Sequence, residues 1–305
     1  SDCRIGLSPD KFILSYCDRA LGVTSAEEQP VLPKGNNLSL HLLELFTSQV
    51  AKVGMTDGIR QVLQEESDAL RAYYEQAGIL IARPAGGTSC RLAISAKGGT
   101  NAENHNHNDV GSYAVALGKS TMVGDQGGPF SYPGDYFSAE APAKYKIKGS
   151  FGHPVPVVDG KTQSAGSAAK AIVLRKEFTE EKDLFSIDYT SAYSTPSLDK
   201  LIRTFVYDRQ GEGSFTVSDE FTADTPIRFE TAITTQADWK VLDDTRLLLT
   251  SGTEQMIVNI EASGKVAFTS ETIEVNAPAY TRIGIALKEQ AAKGYIRLKM
   301  QAKQL

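Results

Sequence analysis

Apolar positions along the chain change period once, near residue 76. Upstream they recur at helical spacing. Ser8-Pro9-Asp10 caps an apolar run over 12–21 that Gly22 stops. Leu38, Leu42, Leu45, Phe46 and Val50 form a second stripe, and Thr56 caps a third segment with Ile59, Val62, Leu63 and Leu70 on one face. Residues 1–75 are therefore expected to be helical, with stripes that need a further surface for burial. Downstream the runs are short and alternating or β-branched: 78–83, 91–97, 110–117 and 120–123, then 171–178, 184–192, 201–207, 214–221, 227–234, 246–250, 255–260, 266–269, 280–287 and 295–300. Gly118-Lys119 predicts a tight hairpin. No helical pattern separates these strands, so parallel βαβ units are excluded. The expected fold class is mainly β, a large antiparallel β-sandwich over residues 76–305. Residues 126–169 show no period and are rich in Gly, Pro, Ser and Tyr; so long an irregular stretch in a compact domain is usually functional or tied down.

Composition changes this picture little. The chain has 305 residues, 41% hydrophobic and 23% charged, enough to build a sizeable core unaided. Its net charge of −5 disfavours a polyanion-binding surface of the nucleic-acid kind, and no apolar run is long enough for a membrane span. Cys3, Cys17 and Cys90 fit neither a zinc ribbon nor a disulfide framework. Residues 1–21 lack the features of a signal peptide, so the chain is mature, cytoplasmic or cut from something longer.

Chemistry concentrates in Asn104-His105-Asn106-His107-Asn108-Asp109, closed by Val110-Gly111. If extended, this segment sends His105, His107 and Asp109 to one face. A third histidine stands in Gly152-His153-Pro154, and Asp125 ends an apolar run at Gly124-Asp125-Gln126-Gly127. His107, Asp125 and His153 are a candidate metal triad, since zinc accepts imidazole nitrogen and carboxylate oxygen. Asp109 is expected to support a histidine rather than ligate. Tyr132, Tyr136 and Tyr145 are candidates to line a sugar cleft, and Lys144, Lys146 and Lys148 read as a solvated face.

These segments, together with Phe151-Gly152-His153-Pro154-Val155-Pro156, Asp159-Gly160 and Gln163, resemble the heparinase II/III-like polysaccharide lyases. The resemblance implies a supersandwich for residues 76–305 and the end of an α/α-toroid for 1–75, with most of that toroid missing. It implies cleavage of uronic-acid-containing polysaccharides, of glycosaminoglycan or alginate type, by β-elimination. One structural zinc ion would be held by His107, Asp125 and His153. His105 matches the family's substrate-facing histidine, and Asn104, Asn106, Tyr132 and Tyr136 would contact the acidic polysaccharide. The family's tyrosine base lies in the toroid, and no tyrosine of residues 1–75 stands in its context. A periplasmic or secreted location also follows from the resemblance. Two alternatives stay open: a non-catalytic glycan-binding β-sandwich, and a cupin-like metalloenzyme in which both histidines of His-x-His bind iron or manganese.

Overall fold

The computed structural model describes residues 69–103, 105–125, 128–129, 131–274 and 279–303. The helices expected over residues 1–68, and Asn104, lie outside them. The described residues contain nineteen strands. In chain order they are β1 Arg71–Tyr74, β2 Ile79–Ala82, β3 Leu92–Lys97, β4 Thr100–Asn101, β5 Tyr113–Leu117, β6 Ser120–Val123, β7 Val157–Val158, β8 Gly166–Lys170, β9 Ile172–Phe178, β10 Lys182–Asp188, β11 Leu198–Asp208, β12 Ser214–Ile227, β13 Phe229–Thr235, β14 Asp238–Asp243, β15 Arg246–Ser251, β16 Glu254–Ala262, β17 Val266–Ile273, β18 Tyr280–Leu287 and β19 Ala291–Ala302.

Every sheet pairing is antiparallel, as the absence of βαβ patterning predicts. An eight-stranded sheet runs β14-β15-β16-β19-β12-β11-β10-β9. Facing it are a five-stranded sheet, β1-β2-β3-β5-β6, and a four-stranded sheet, β17-β18-β13-β7, while β4 pairs with β8. The two smaller sheets join where Gly124 N–H donates to Thr234 O at 3.0 Å and Thr234 Oγ1 donates to Gly124 O at 2.6 Å. One core fills the space between the layers. Tyr113 of β5 lies 6.2 Å from Phe205 of β11 and 5.9 Å from Phe215 of β12, and Phe221 stacks on Phe229 at 4.5 Å. Alternation sets these contacts. Leu201, Phe205 and Tyr207 occupy one phase of β11 and are buried, while Ile202, Thr204 and Val206 on the other phase are only half-buried.

The boundary drawn at residue 75 needs correction, because Arg71–Tyr74 is a strand. Its register, Arg71↔Ala82 to Tyr74↔Ile79, makes it the outer strand of the five-stranded sheet. Tyr73 packs on Phe178 and Phe185, and Arg71 pairs with buried Asp183 at 2.7 Å. Strand β14 was also not expected; Asp-Trp-Lys-Val-Leu-Asp is a largely exposed edge that reaches the core only through Trp239. At the opposite edge β9 leaves Ile172, Val173 and Leu174 exposed. The Gly118-Lys119 hairpin is present, with Leu117 facing Ser120.

The irregular stretch after β6 is tied down. It holds one short helix, α1 (Ala141–Lys144), and a 3-10 turn at Ser150–Gly152. It packs on the outer phase of the four-stranded sheet through a second apolar cluster of Tyr136, Ile147, Ile273 and Tyr280, flanked by Tyr132, Tyr145 and Phe151. Tyr280 Oη donates to Gly152 O at 2.9 Å, and Arg282 lies 4.3 Å from the Phe151 ring.

Candidate metal centre and active site

His107, Asp125 and His153 come together. One ligand atom from each lies within 4.8 Å of the other two, and among the described residues this is the metal-competent cluster of His, Cys and carboxylate groups. Both histidines are 1% exposed, and Asp125 is partly open, with 21% of its side chain accessible. His153 Nε2 lies 3.1 Å from Ile147 O; a carbonyl can only accept, so this nitrogen carries a hydrogen. The lone pair of a neutral ring then sits on Nδ1, 3.1 Å from Asp125 Oδ2 without an in-line hydrogen bond. Two acceptors facing each other at that distance require a positive charge between them, either a proton or a cation. With a proton, burial opposes ionisation of both groups but their mutual attraction outweighs it, so Asp125 is held well below the usual carboxylate range and His153 is raised. A carbonyl on the far nitrogen is also the usual second partner of a metal-bound imidazole. The donor set therefore fits zinc.

The backbone that presents these groups is not the extended segment expected. His105 has φ +55°, a left-handed conformation, and Asn106 N–H turns back to Glu103 O at 3.3 Å. That single residue breaks the period of two. His105 is exposed while His107, Asn108 and Asp109 are all buried, so His105 and His107 do not share a face as a strand would make them. The Asp109 carboxylate takes Lys97 Nζ at 2.6 Å, and its charge adds to that of Asp125 in raising His153.

The tyrosines divide in the same way. Tyr136 is fully buried and its hydroxyl lies 3.2 Å from His107 Nε2, so it has no surface for a sugar and instead orients the histidine. Tyr132 is half-buried behind it, at 5.2 Å between ring centroids. Asn106 is half-buried and donates to His107 O at 3.0 Å. Lys148, expected on a solvated face, is 8% exposed and donates to Tyr136 O at 2.7 Å. Lys144 pairs with Asp135 and Lys146 with Glu271.

Two buried polar networks hold the histidine segments, and sequence reasoning did not assign either. Gln163 Nε2 donates to Val110 O at 2.7 Å and its Oε1 accepts from Val110 N–H at 3.1 Å, so the side chain pairs with the loop as a strand backbone would. The same oxygen accepts from Asn101 Nδ2, and Asn101 Oδ1 takes the Asp109 N–H, both at 3.0 Å. Arg203 is wholly buried on β11. Its guanidinium donates to Asp219 Oδ1 and Oδ2 at 2.7 and 2.6 Å, to Thr231 Oγ1 at 3.1 Å, to Gly111 O at 2.7 Å and to Pro154 O at 2.8 Å. All five N–H groups are used. Gly111 closes the His107 loop and Pro154 follows His153, so one side chain of the eight-stranded sheet fixes both loops. The signal was a charge in the inward phase of an apolar strand, at Arg203 and again at Asp219. Gly111 has φ +87°, and a Cβ there would meet the Tyr189 ring at 3.3 Å.

Two surface grooves, of about 580 and 440 Å³, open near the ends of β13 and β18 and beside β16. Neither is lined by His105, His107, Asp125 or His153.

Comparison with solved structures gives the architecture a precedent. A mutant of the heparan sulfate lyase HepC from Pedobacter heparinus superposes with a TM-score of 0.62 at 16% identity, covering 78% of this chain and 37% of that one. The chain has a heparinase-like fold. A heparinase III structure matches with a TM-score of 0.59 at 17% identity over 76% of this chain and 36% of its own. The heparinase III BT4657 gene product gives 0.60 at 12% over 78% and 36%. The chain thus spans little more than a third of the length of these heparinases. No protein-family model matches it, and no curated protein matches it in sequence. At such identities the heparinase-like fold is what is shared.

Proposed function

We propose that this chain is the β-sandwich portion of a polysaccharide lyase that cleaves uronate-containing chains by β-elimination, with His105 facing substrate and a structural zinc held by His107, Asp125 and His153. One observation carries the reading: three donors from three segments converge two residues along the chain from an exposed histidine, on a fold shared with heparinases. The zinc would supply a fixed positive charge that pins the two histidine loops together. The reaction breaks the C–H bond next to the uronate carboxylate, forms a carbon–carbon double bond and expels the glycosidic oxygen, which leaves with a proton. Negative charge collects on the carboxylate during proton removal, and a donor aimed there stabilises the transition state. His105 is exposed and suited to that role or to shuttling a proton. Tyr136 is too buried to be the base, and we assign the base to a tyrosine of an α/α-toroid, where the resembled family carries it. A periplasmic or secreted location belongs to the same reading.

The test joins metal analysis to product detection. Unchelated protein should carry one zinc per chain, and the appearance of unsaturated uronate should be followed by ultraviolet absorbance on glycosaminoglycan and alginate substrates. The chain alone should be nearly inert, because losing the base removes about 10²- to 10⁴-fold in rate. Joined to a toroid that supplies a tyrosine, it should turn over. Stoichiometric iron, or binding of a uronate polymer without elimination by the joined protein, would overturn this function.

A further inference from the structure

Beside His105 stands an aromatic side chain to which the reading above gives no role. Phe137 is 52% exposed, whereas among the described aromatics beside it Tyr136 is fully buried and Tyr132 and Tyr145 half-buried. It is nevertheless held on several sides. Tyr132 and Tyr136 lie 5.0 and 5.4 Å away between ring centroids, and the Lys148 ammonium sits 4.7 Å from the ring, fixed by its bond to Tyr136 O. His105 stands edge-on at 5.3 Å. A ring this tightly backed is not a loose loop tip. Lys148 is buried, and about half of Phe137 stays open to solvent with the His105 imidazole at its side.

We infer that Phe137 is a stacking platform for a pyranose ring of the polysaccharide, seating one sugar against His105. The inference rests on the lyase reading for the identity of the polymer, and on its own geometry for the platform. An aromatic face carries negative π density that attracts the slightly positive C–H groups lining one face of a sugar. Such a site costs little to organise because the ring is already immobilised. The surroundings favour an anionic sugar: Lys148 lies beneath the ring, and the nearby acid Asp135 is occupied by Lys144 and by Tyr145 Oη at 2.5 Å. Phe137 would be a binding residue, and the group beside it, His105, the one acting on the reacting atoms.

The experiment uses the full chain. Its single tryptophan, Trp239, lies on the edge strand β14, so Phe137→Trp installs a distinguishable fluorophore at the platform. Phe137→Trp and wild type are titrated with heparan-type, chondroitin-type and alginate-type hexasaccharides, with a neutral cello-oligosaccharide and with a purine nucleotide, by fluorescence and by calorimetry. Phe137→Trp should bind an acidic oligosaccharide as well as wild type does, with a shifted emission, and Phe137→Ala should bind it about tenfold more weakly, the worth of one aromatic contact. Thermal melting and metal content should be the same in all three, which separates loss of the platform from loss of the fold. Acidic oligosaccharide binding that is unchanged in Phe137→Ala would overturn the platform while leaving the lyase reading standing. Phe137-dependent binding of the neutral sugar alone would keep the platform and remove the uronate. No saccharide response at all, or a response to the nucleotide only, would overturn the inference.

Discussion

His105 and His107 stand two residues apart, yet one is exposed and the other buried, and the backbone at His105 is left-handed. The left-handed turn at His105 was not legible in the sequence, where three asparagines and two histidines read equally well as a strand. The convergence of His107, Asp125 and His153 was legible as a candidate from the residue types and was strengthened by the resemblance, although their spacing matches no local ligand motif. A test follows from the separation. Asp125→Asn and His153→Ala should lose the metal, whereas His105→Ala should keep its full zinc content by elemental analysis. The neighbouring glycine is equally specific. A Cβ at Gly152 would collide with Lys146 O and stand 2.8 Å from Tyr280 Oη, with no flexible side chain able to yield at the carbonyl. Gly152→Ala should therefore displace His153 and weaken metal retention against a chelator at least tenfold, with the core strands still protected from hydrogen exchange.

At the scale of elements, strand positions were readable where burial alternates, as in β3, β5 and β11, and from β-branched or apolar runs where both faces are covered, as in β13 and β18. Sheet membership was not. Ala262-Ser263-Gly264-Lys265 looks like a hairpin turn, yet Ala262 pairs with Ile296 in the eight-stranded sheet while Val266 pairs with Leu287 in the four-stranded one. Such partners are chosen by the shape of the whole layer. Arg203 shows the value of a residue that violates its strand's pattern. Arg203→Met would leave the Asp219 carboxylate buried without its cation, at a cost of about 3–5 kcal/mol, and would release the Gly111 and Pro154 carbonyls together. Arg209, another buried and paired arginine, bonds Asp183, Arg83 O and Leu70 O on a different part of the sandwich. Arg209→Met should lower the melting temperature comparably but leave zinc affinity unchanged, whereas Arg203→Met should lower both.

For the described molecule as a whole, the sandwich and the loop over the outer face of its four-stranded sheet each have their own apolar cluster. Disrupting the smaller cluster should therefore be local. Ile147→Ala is expected to cost about 2–5 kcal/mol at its own site, as for other buried aliphatic truncations. Hydrogen exchange should show this as faster opening over residues 131–153, with β11, β12 and β19 unaffected. The exposed apolar edge at Ile172, Val173 and Leu174 belongs to the sandwich rather than to that loop.

The arginine that joins the two histidine loops also dictates when they can form. Its bonds reach 92 residues back to Gly111 and 49 back to Pro154, and Asp219, which holds it, lies on the next strand. Contacts that close such long stretches of chain form late, because their entropic cost is met only once the intervening strands have paired. The histidines thus reach their places after β11 and β12 have zipped, and a cation that needs both cannot seed the fold. In refolding with cobalt in place of zinc, the colour of the bound ion should lag behind Trp239 fluorescence. Each completed centre would then certify that the chain around it had folded correctly.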